Sequence, residues 1–190
     1  EAGHVVKLPH VSTIADGTAV QEPGDKIFPY IQQNIDDIIT IEDDELIECF
    51  LDMVENHKMV VENSGLLTVA ALKHLPAEGK KVVSILSGGN MDVITMSSVI
   101  QHGLIARGRI FTVSTMLPDT PGQLAAVSNT IAQHKGNVIR IEHNQFVNIN
   151  RNDGVELRLT IESFGVEHKQ EIIAALDAAG FRPQVIQTVL

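Results

Sequence analysis

The chain has 190 residues, enough for one or two domains, and its 24 acidic against 14 basic residues give a net charge of −10. This charge excludes an ordinary nucleic-acid-binding protein, because phosphate backbones need clustered Lys and Arg. No apolar run reaches the ~20 residues of a membrane-spanning helix, and no basic amphipathic segment would bind a membrane surface. Hydrophobic residues make up 44% of the chain and aromatic residues 4%. Aliphatic side chains therefore fill the core, which favours an α/β or α+β fold.

Cysteine and histidine usage excludes two further classes of protein. Cys49 is the only cysteine, so there is no internal disulfide framework, and we expect a cytoplasmic protein. The eight histidines have no paired ligand spacing, and no metal site is predicted. The sequence opens at Glu1 with neither an initiator Met nor a secretory signal. A fragment or a processed chain is therefore expected.

Residues 1–106 are predicted to alternate between strands and helices after a loop-rich start. The predicted elements are a strand over 35–41, a helix over 42–54, an extended segment over 59–62, a helix over 66–75, a buried strand over 81–86 and a helix over 91–106. The last strand runs into the turn Ser87-Gly-Gly-Asn90. Since α/β folds bind ligands at the carboxyl ends of strands, this turn is a candidate site, although a tight turn alone can need such glycines.

The pattern changes at Arg107-Gly-Arg109, so we place a domain boundary near residue 108, between domains of residues 1–106 and 109–190. The second domain is predicted to contain strands over 110–117, 137–147, 155–163 and 184–190, with helices over 124–134 and 166–179. Gly136 is predicted to cap the first helix, and Asn152-Asp-Gly154 to form a hairpin turn. This βαββαβ order is the ferredoxin-like, α+β arrangement.

Three motifs of the first domain together resemble the fold-type-II pyridoxal-phosphate enzymes, a family that includes threonine dehydratase, serine dehydratase and serine racemase. They are Ile14-Ala-Asp-Gly-Thr-Ala-Val20 followed by Pro23-Gly24, Val60-Val-Glu-Asn-Ser-Gly65, and Val83-Ser-Ile-Leu-Ser-Gly-Gly-Asn90. They come in the family's order and at about its spacing. The resemblance implies an α/β part of the catalytic domain, with cofactor contacts at Ser87, Gly88, Gly89, Asn90 and Glu62.

In that family the serine of the Ser-Gly-Gly-Asn motif shares a hydrogen bond with the pyridine nitrogen of the cofactor, and Ser87 takes its place. A hydroxyl cannot hold this nitrogen protonated as a carboxylate can, which suits elimination of a leaving group. Glu62 resembles the family's acidic residue near the cofactor, or alternatively caps the following helix. Asp16-Gly17 resembles part of the active-site wall, or is only a turn.

Two family features are missing from this sequence: the segment with the lysine that binds the cofactor covalently, and the tetraglycine loop for its phosphate. Both lie upstream in the family. The resemblance therefore implies the C-terminal part of the enzyme, with no catalytic residue. We expect the 190 residues alone to hold no tight pyridoxal phosphate and to catalyse nothing.

Residues 109–190 resemble an ACT domain, a regulatory fold that binds small amino acids, usually between two copies. Leu117-Pro-Asp-Thr-Pro-Gly-Gln-Leu124 and Gly136-Asn-Val-Ile139 carry the resemblance. It implies effector contacts at Asp119, Pro121, Gly122, Leu124, Asn137 and Val138. Asp119 is equally suited to capping the helix, and Asn137 to a turn. A ferredoxin-like domain leaves a sheet edge and a sheet face open, so a homo-oligomer is expected.

Together the two resemblances imply a threonine dehydratase, which converts L-threonine to 2-oxobutanoate and ammonia under feedback control. We expect a branched-chain amino acid as the effector. Serine dehydratase stays open as an alternative, whereas the ACT domain argues against serine racemase. A second class also stays open: a non-catalytic module that senses amino acids or only dimerises.

Overall fold

The computed structural model describes residues 3–76, 78–144 and 154–189. The chain divides into two compact units, residues 1–103 and 104–190, and the division falls inside one helix. None of the helices in the described ranges is long and apolar enough to cross a membrane. The helices are α1 (Phe28–Asn34), α2 (Asp43–Asp52), α3 (Asn63–Ala70), α4 (Val93–Ala106), α5 (Gln123–Gln133) and α6 (Val166–Ala178). The strands are β1 (Ile110–Leu117), β2 (Asn137–Asn144), β3 (Val155–Glu162) and β4 (Gln184–Ile186).

The first unit is built around α2 and α3. A capping box starts α2: the Glu42 side chain accepts from the backbone of Glu45, and the Glu45 carboxylate accepts from Glu42 N at 3.1 Å. A π-helical turn, Met53–His57, follows and ends at Lys58, whose φ is 57°. The core side chains are aliphatic apart from one aromatic ring, and they include Leu46, Phe50, Met53, Val61, Leu66 and Val99.

Two predicted strands of the first unit are absent from the described residues. Residues 35–41 form no strand, and the helix α1 precedes them in a stretch predicted as loop. Residues 81–86 are extended but unpaired along their backbone; instead Thr68 Oγ1 of α3 donates to Ile85 O at 2.9 Å. The strand predictions failed because a strand is made by hydrogen bonds to a neighbouring strand, and an apolar run alone cannot supply them.

Helix boundaries in the first unit follow the predictions more closely. The predicted helix over 42–54 is α2 with its π-helical extension, and the one over 91–106 is α4. The predicted helix over 66–75 starts earlier, at Asn63, and ends in a 3₁₀ turn, Ala71–His74. Residues 59–62 are extended, as expected, without being a strand.

The second unit is a four-stranded antiparallel sheet in the order β2-β3-β1-β4. The central pair is β1 and β3, in which Ile110 lies opposite Glu162 at one end and Leu117 lies opposite Val155 at the other. Alternate residues of β3 are buried because one sheet face packs against α5 and α6. The resulting core contains Phe111, Val113, Leu117, Val127, Ile131, Val155, Leu157, Leu159, Ile161, Ile172 and Leu176.

The opposite face of this sheet is mostly polar, although Ile110, Met116 and Ile186 also lie on it. Thr112 and Thr160 face each other there, with 3.1 Å between their hydroxyl oxygens. Arg158 Nε donates to Glu156 Oε1 at 2.9 Å, and Ser114 Oγ donates to the same oxygen at 2.7 Å. The two faces therefore differ as a half-buried antiparallel sheet requires.

The turns of the second unit correct one prediction. Lys135, with φ 61°, and not Gly136, adopts the left-handed conformation after α5. Gly136 is needed for space, since a Cβ there would lie 2.7 Å from Ile131 Cγ2. β4 covers only three residues and is therefore shorter than predicted. The described part of β2 ends at Asn144. The predicted strand residues 145–147 and the first two residues of the predicted hairpin turn, 152 and 153, lie outside the described residues.

Candidate functional site

The turn after the extended segment 81–86 lies against the start of α3. Gly88 has φ 76°, which favours glycine, and a Cβ there would overlap the Glu62 carboxylate. Glu62 N donates to Gly88 O at 3.4 Å. A Cβ on Gly65 would likewise overlap the carbonyl oxygen of Ser87. The structure thus brings Glu62 together with the Ser87–Asn90 turn, as the sequence analysis proposed for one site.

The Glu62 carboxylate does not cap α3. Glu62 is the N-cap residue, with φ −63° and ψ 153°, but its side chain makes no capping hydrogen bond. Of the two roles left open for this residue, capping is not observed, and the contact with the cofactor stays a prediction.

A small cleft of about 50 Å³ opens beside this turn. Asp16, Glu62 and Asn90 line it, so it contains residues from each of the three motifs. No basic side chain lines it; the others are Ile14, Asn63, Met91, Asp92 and Thr95. The pKa of Asp92 is lowered, first by the hydrogen bond from the Thr95 hydroxyl and then by backbone N–H groups at the start of α4. The Asp92 carboxyl is therefore ionised at neutral pH.

Two polar atoms beside the cleft are buried without a hydrogen-bond partner among the described residues: Asn63 Oδ1 and Ser64 Oγ. Asn63 is only 3% exposed. Asn63 is not among the site residues predicted from sequence, although it lies in the second motif next to Glu62. Ser87 is exposed, and neither Ser87 nor Gly88 and Gly89 line the cleft, to which the turn contributes only Asn90.

A second cavity, of about 330 Å³, lies in the second unit between β1, the start of α5 and the edge of β2. Gly122, with φ 95°, precedes α5 there. Four of the six predicted effector residues line this cavity, namely Asp119, Pro121, Gly122 and Leu124. Asp119 does not cap the helix, because Gly122 is the N-cap residue and no side chain caps it.

The remaining two predicted effector residues lie elsewhere in the same chain. Asn137 is opposite Glu162 in the sheet, and its Nδ2 donates to Glu162 Oε2 at 3.2 Å. The cavity is at the other end of β3, near Val155. Val138 packs against the core. The six residues therefore do not line one cavity within a single chain. The resemblance assigned each residue by its position in a motif, and a motif does not say at which end of the sheet a residue lies.

Three residues that line this cavity were not selected from sequence. His143, Val155 and Leu157 come from strands β2 and β3. The sequence shows that side chains alternate along these strands. However, His143 lies beside Leu124 only because β2 pairs with β3 in a register that puts His143 opposite Leu157.

Neither a metal site nor a reactive thiol appears among the described residues. No cluster of three or more His, Cys, Asp or Glu side chains there could hold a metal ion. Cys49 is buried in the first core, and burial raises the pKa of its thiol, with Asp52 adding to the effect. A thiol held neutral in this way is a packing residue.

The amino-terminal half of the chain matches a known family of enzymes. Residues 1–88 match the family described as "Pyridoxal-phosphate dependent enzyme". The match contains the first two motifs and the third as far as Gly88. Residues 1–88 are therefore similar to pyridoxal-phosphate-dependent enzymes. This is the family that the three motifs indicated.

Curated relatives extend the similarity into the second unit. The chain is 34% identical to an L-threonine ammonia-lyase of Geobacter sulfurreducens, over 98% of this chain and 47% of the relative. It is 31% identical to an L-threonine ammonia-lyase of Thermotoga maritima, over 97% of this chain and 46% of the relative. It is also 38% identical to an L-threo-3-hydroxyaspartate ammonia-lyase of a Pseudomonas species, over 53% of this chain and 32% of the relative. The chain spans about half the length of the first two.

Proposed function

We propose that this chain is the C-terminal part of an L-threonine ammonia-lyase, which converts L-threonine to 2-oxobutanoate and ammonia. The observation that carries the proposal is the 34% identity to such an enzyme over 98% of this chain, through both units. The family match of residues 1–88 supports it independently. Because the chain spans about half of these relatives, the activity belongs to the longer protein.

The residues around the first cleft fit pyridoxal phosphate. The exposed Ser87 hydroxyl can donate to or accept from a pyridine nitrogen without carrying charge. Gly88 and Gly89 lack side chains, so the backbone can approach a flat ring closely. Asn90 and the Glu62 carboxylate border the same cleft. When bound, the cofactor supplies the electron sink for breaking bonds at the amino-acid α-carbon.

We propose that this chain's residues orient the ring and do not perform the proton transfers. None of its lysines has the sequence context of the family's cofactor-binding lysine, and we assign that residue to the upstream part of the longer protein. Ser87 would keep the ring nitrogen without a full positive charge, which suits loss of the substrate hydroxyl.

The test is an assay of the longer protein with L-threonine, L-serine and L-threo-3-hydroxyaspartate, in which ammonia and the 2-oxo acid are measured. We expect L-threonine to have the highest kcat/KM. Ser87→Ala should lower kcat at least tenfold, since the ring nitrogen loses its partner. Ser97→Ala, an exposed serine on α4, is the matched control and should have no effect.

Three results of this assay would contradict the proposal. A preference for L-serine would favour the serine dehydratase alternative, and a preference for hydroxyaspartate would favour that ammonia-lyase. The absence of any 2-oxo acid would leave a non-catalytic module. The 190-residue chain assayed alone should give no turnover and no cofactor absorbance.

We propose that the second unit is a regulatory ACT domain that binds a branched-chain amino acid. Its βαββαβ order and its sheet order β2-β3-β1-β4 support a ferredoxin-like domain. The cavity beside Gly122 supports the ligand site, because backbone N–H groups at the start of α5 favour a carboxylate. Leu117, Leu124 and Leu157 line the same cavity and suit an aliphatic side chain.

Isothermal titration of the 190-residue chain with L-isoleucine, L-valine and L-serine tests this domain. We expect saturable binding of the first two, weakened at least tenfold by Asp119→Asn, which removes the carboxylate for the ligand ammonium. Asp177→Asn, near the end of α6, is the control. Undetectable binding of all three amino acids would leave a dimerisation module as the better assignment.

We further propose that two copies associate through their second units. The strands β2 and β4 are the sheet edges, and their outer hydrogen-bonding groups can pair with another copy. Asn137 and Val138 at the start of edge strand β2 could then border an effector bound to a neighbouring copy. Sedimentation equilibrium should give at least a dimer, and a monomer at micromolar concentration would contradict the proposal.

A further inference from the structure

The segment 13–17, which carries the Asp16 wall of the first cleft, is held by the first residue of α2. Thr13 Oγ1 donates to Asp43 Oδ1 at 2.6 Å, and Ile14 N donates to Asp43 Oδ2 at 3.1 Å. Ala15 N donates in turn to Thr13 Oγ1 at 3.1 Å. One carboxylate therefore fixes three consecutive residues.

The same segment is held a second time by the first residue of α3. Asn63 Nδ2 donates to Ile14 O at 3.0 Å across 49 residues of sequence. The amide orientation follows from this bond, because the opposite orientation would set Asn63 Oδ1 against a carbonyl oxygen. Asn63 is 3% exposed, so its side of this part-buried contact is largely shielded from water, although the residue also borders the cleft.

Packing leaves the segment little freedom between these two contacts. Ala15 is 2% exposed and belongs to the first core. A Cβ on Gly17 would lie 2.8 Å from Ser64 Oγ on α3, so the backbone at Gly17 lies directly on this helix. Asp16, between the two, borders the cleft with Glu62 and Asn90. The position of Asp16 is thus set by α2 and α3 together.

We propose that Asn63 and Asp43 are positioning residues for the ammonia-lyase reaction: they clamp segment 13–17 so that Asp16 stays opposite Glu62 and the Ser87–Asn90 turn. This inference rests on the proposed function. Neither residue is assigned a contact with the substrate. They act by holding Asp16 in place at the cleft. A misplacement of about 1 Å in an active site can cost about a hundredfold in rate, so loss of this support should slow the reaction.

The experiment uses the longer, cofactor-loaded enzyme with three variants: Asn63→Ala, Thr13→Val and the double variant. Each single variant should lower kcat by about tenfold with a smaller change in KM, because the wall is displaced while the substrate contacts remain. Both substitutions loosen the same segment. The fold-decrease in kcat of the double variant should therefore be smaller than the product of the fold-decreases of the two single variants. The cofactor absorbance should be retained.

Asn34→Ala is the matched control. Asn34 Nδ2 also donates to a backbone carbonyl, Tyr30 O at 2.8 Å, but on the exposed end of α1. Its kcat should stay within twofold of the wild type. All assays are run well below each variant's unfolding temperature, and Thr13→Val serves if Asn63→Ala does not fold.

Hydrogen exchange of the 190-residue chain separates the clamp from the proposed function. The amides of Ile14 and Ala15 should exchange at least tenfold faster in Asn63→Ala than in the wild type or Asn34→Ala. Unchanged exchange, or an unchanged kcat, overturns the clamp. If wild-type enzyme produces no 2-oxo acid, the proposed function fails and the positioning role for this reaction fails with it, whereas faster exchange would still establish the contact itself.

Discussion

The two units of this chain contain similar aliphatic sequences but form different kinds of structure. In the second unit four strands pair and their apolar side chains close a core. In the first unit the apolar segments 35–41 and 81–86 stay unpaired among the described residues, and Val83 is 88% exposed and Ile38 73% exposed. The difference shows that β-branched apolar runs become strands only where partners are present.

The sources of the two sets of contacts explain this difference. All strands of the second unit come from residues 110–186, so the sheet completes itself. The first cleft is assembled from short segments near residues 16, 62 and 90, which are held by helices α2 and α3 and not by a sheet. The second unit is therefore the more self-sufficient of the two.

The largest expected effect tests whether the units unfold independently. Phe50→Ala and Phe111→Ala each empty a fully buried aromatic position, one in each core, and should each cost about 3–5 kcal/mol. Hydrogen exchange followed at increasing urea should show each variant lowering protection in its own unit alone. Tyr30→Ala, at an exposed position, is the control. A common shift of both units in either variant would show one cooperative molecule.

The next effect concerns packing between the two helices of the second unit. Gly136→Ala places a methyl group 2.7 Å from Ile131 Cγ2 and 2.9 Å from Ile172 Cδ1. This overpacking should cost about 1–3 kcal/mol in urea unfolding of the second unit. Gly24→Ala, which meets nothing within 4 Å, should be neutral or slightly stabilising. Equal stability of the two variants would contradict the tight packing.

A smaller effect concerns acid sensitivity. The pKa of Glu156 is lowered, first by the hydrogen bond from Arg158 and then by the Ser114 hydroxyl. A folded pKa below the unfolded value gives stability that is present above about pH 4.3 and is lost as pH falls through the folded pKa. Glu156→Gln should remove this part of the acid dependence, less than about 1 kcal/mol, from the second unit. NMR titration of the carboxyl carbon tests the direction; titration at or above the ordinary pKa would refute it.

The smallest effect probes the unpaired segment of the first unit. Val83→Ser should change the stability of the 190-residue chain by less than about 0.5 kcal/mol, because the side chain is already exposed. In the longer protein, where we propose that this segment joins a sheet, the same change should cost about 1–3 kcal/mol. The free energy of unfolding is measured in urea for both proteins. Equal effects of Val83→Ser in the two would contradict the proposal that residues 81–86 join a sheet in the longer protein.

Prediction from sequence succeeded where the signals were local. The helix over 42–54 was predicted from its acidic first residues, Glu42 to Glu45, and from helical apolar spacing, and β3 was predicted from alternation. The Ser87–Asn90 turn and Glu62 were likewise selected together, and they lie together in the structure. It failed for the predicted strand over 81–86, because the sequence of this segment does not say whether a neighbouring strand is present. The effector contact predicted at Asn137 stays a prediction; the structure places this residue at the end of β3 away from the cavity.

The sequence by itself determined the helices other than α1, the alternation along β3 and the motifs that resemble the enzyme family, because spacing is a property of contiguous residues. Only the tertiary structure decided that Asn63 reaches Ile14 across 49 residues, and that His143 shares a cavity with Leu124. Such contacts depend on how helices and strands meet in space, and no local pattern specifies that.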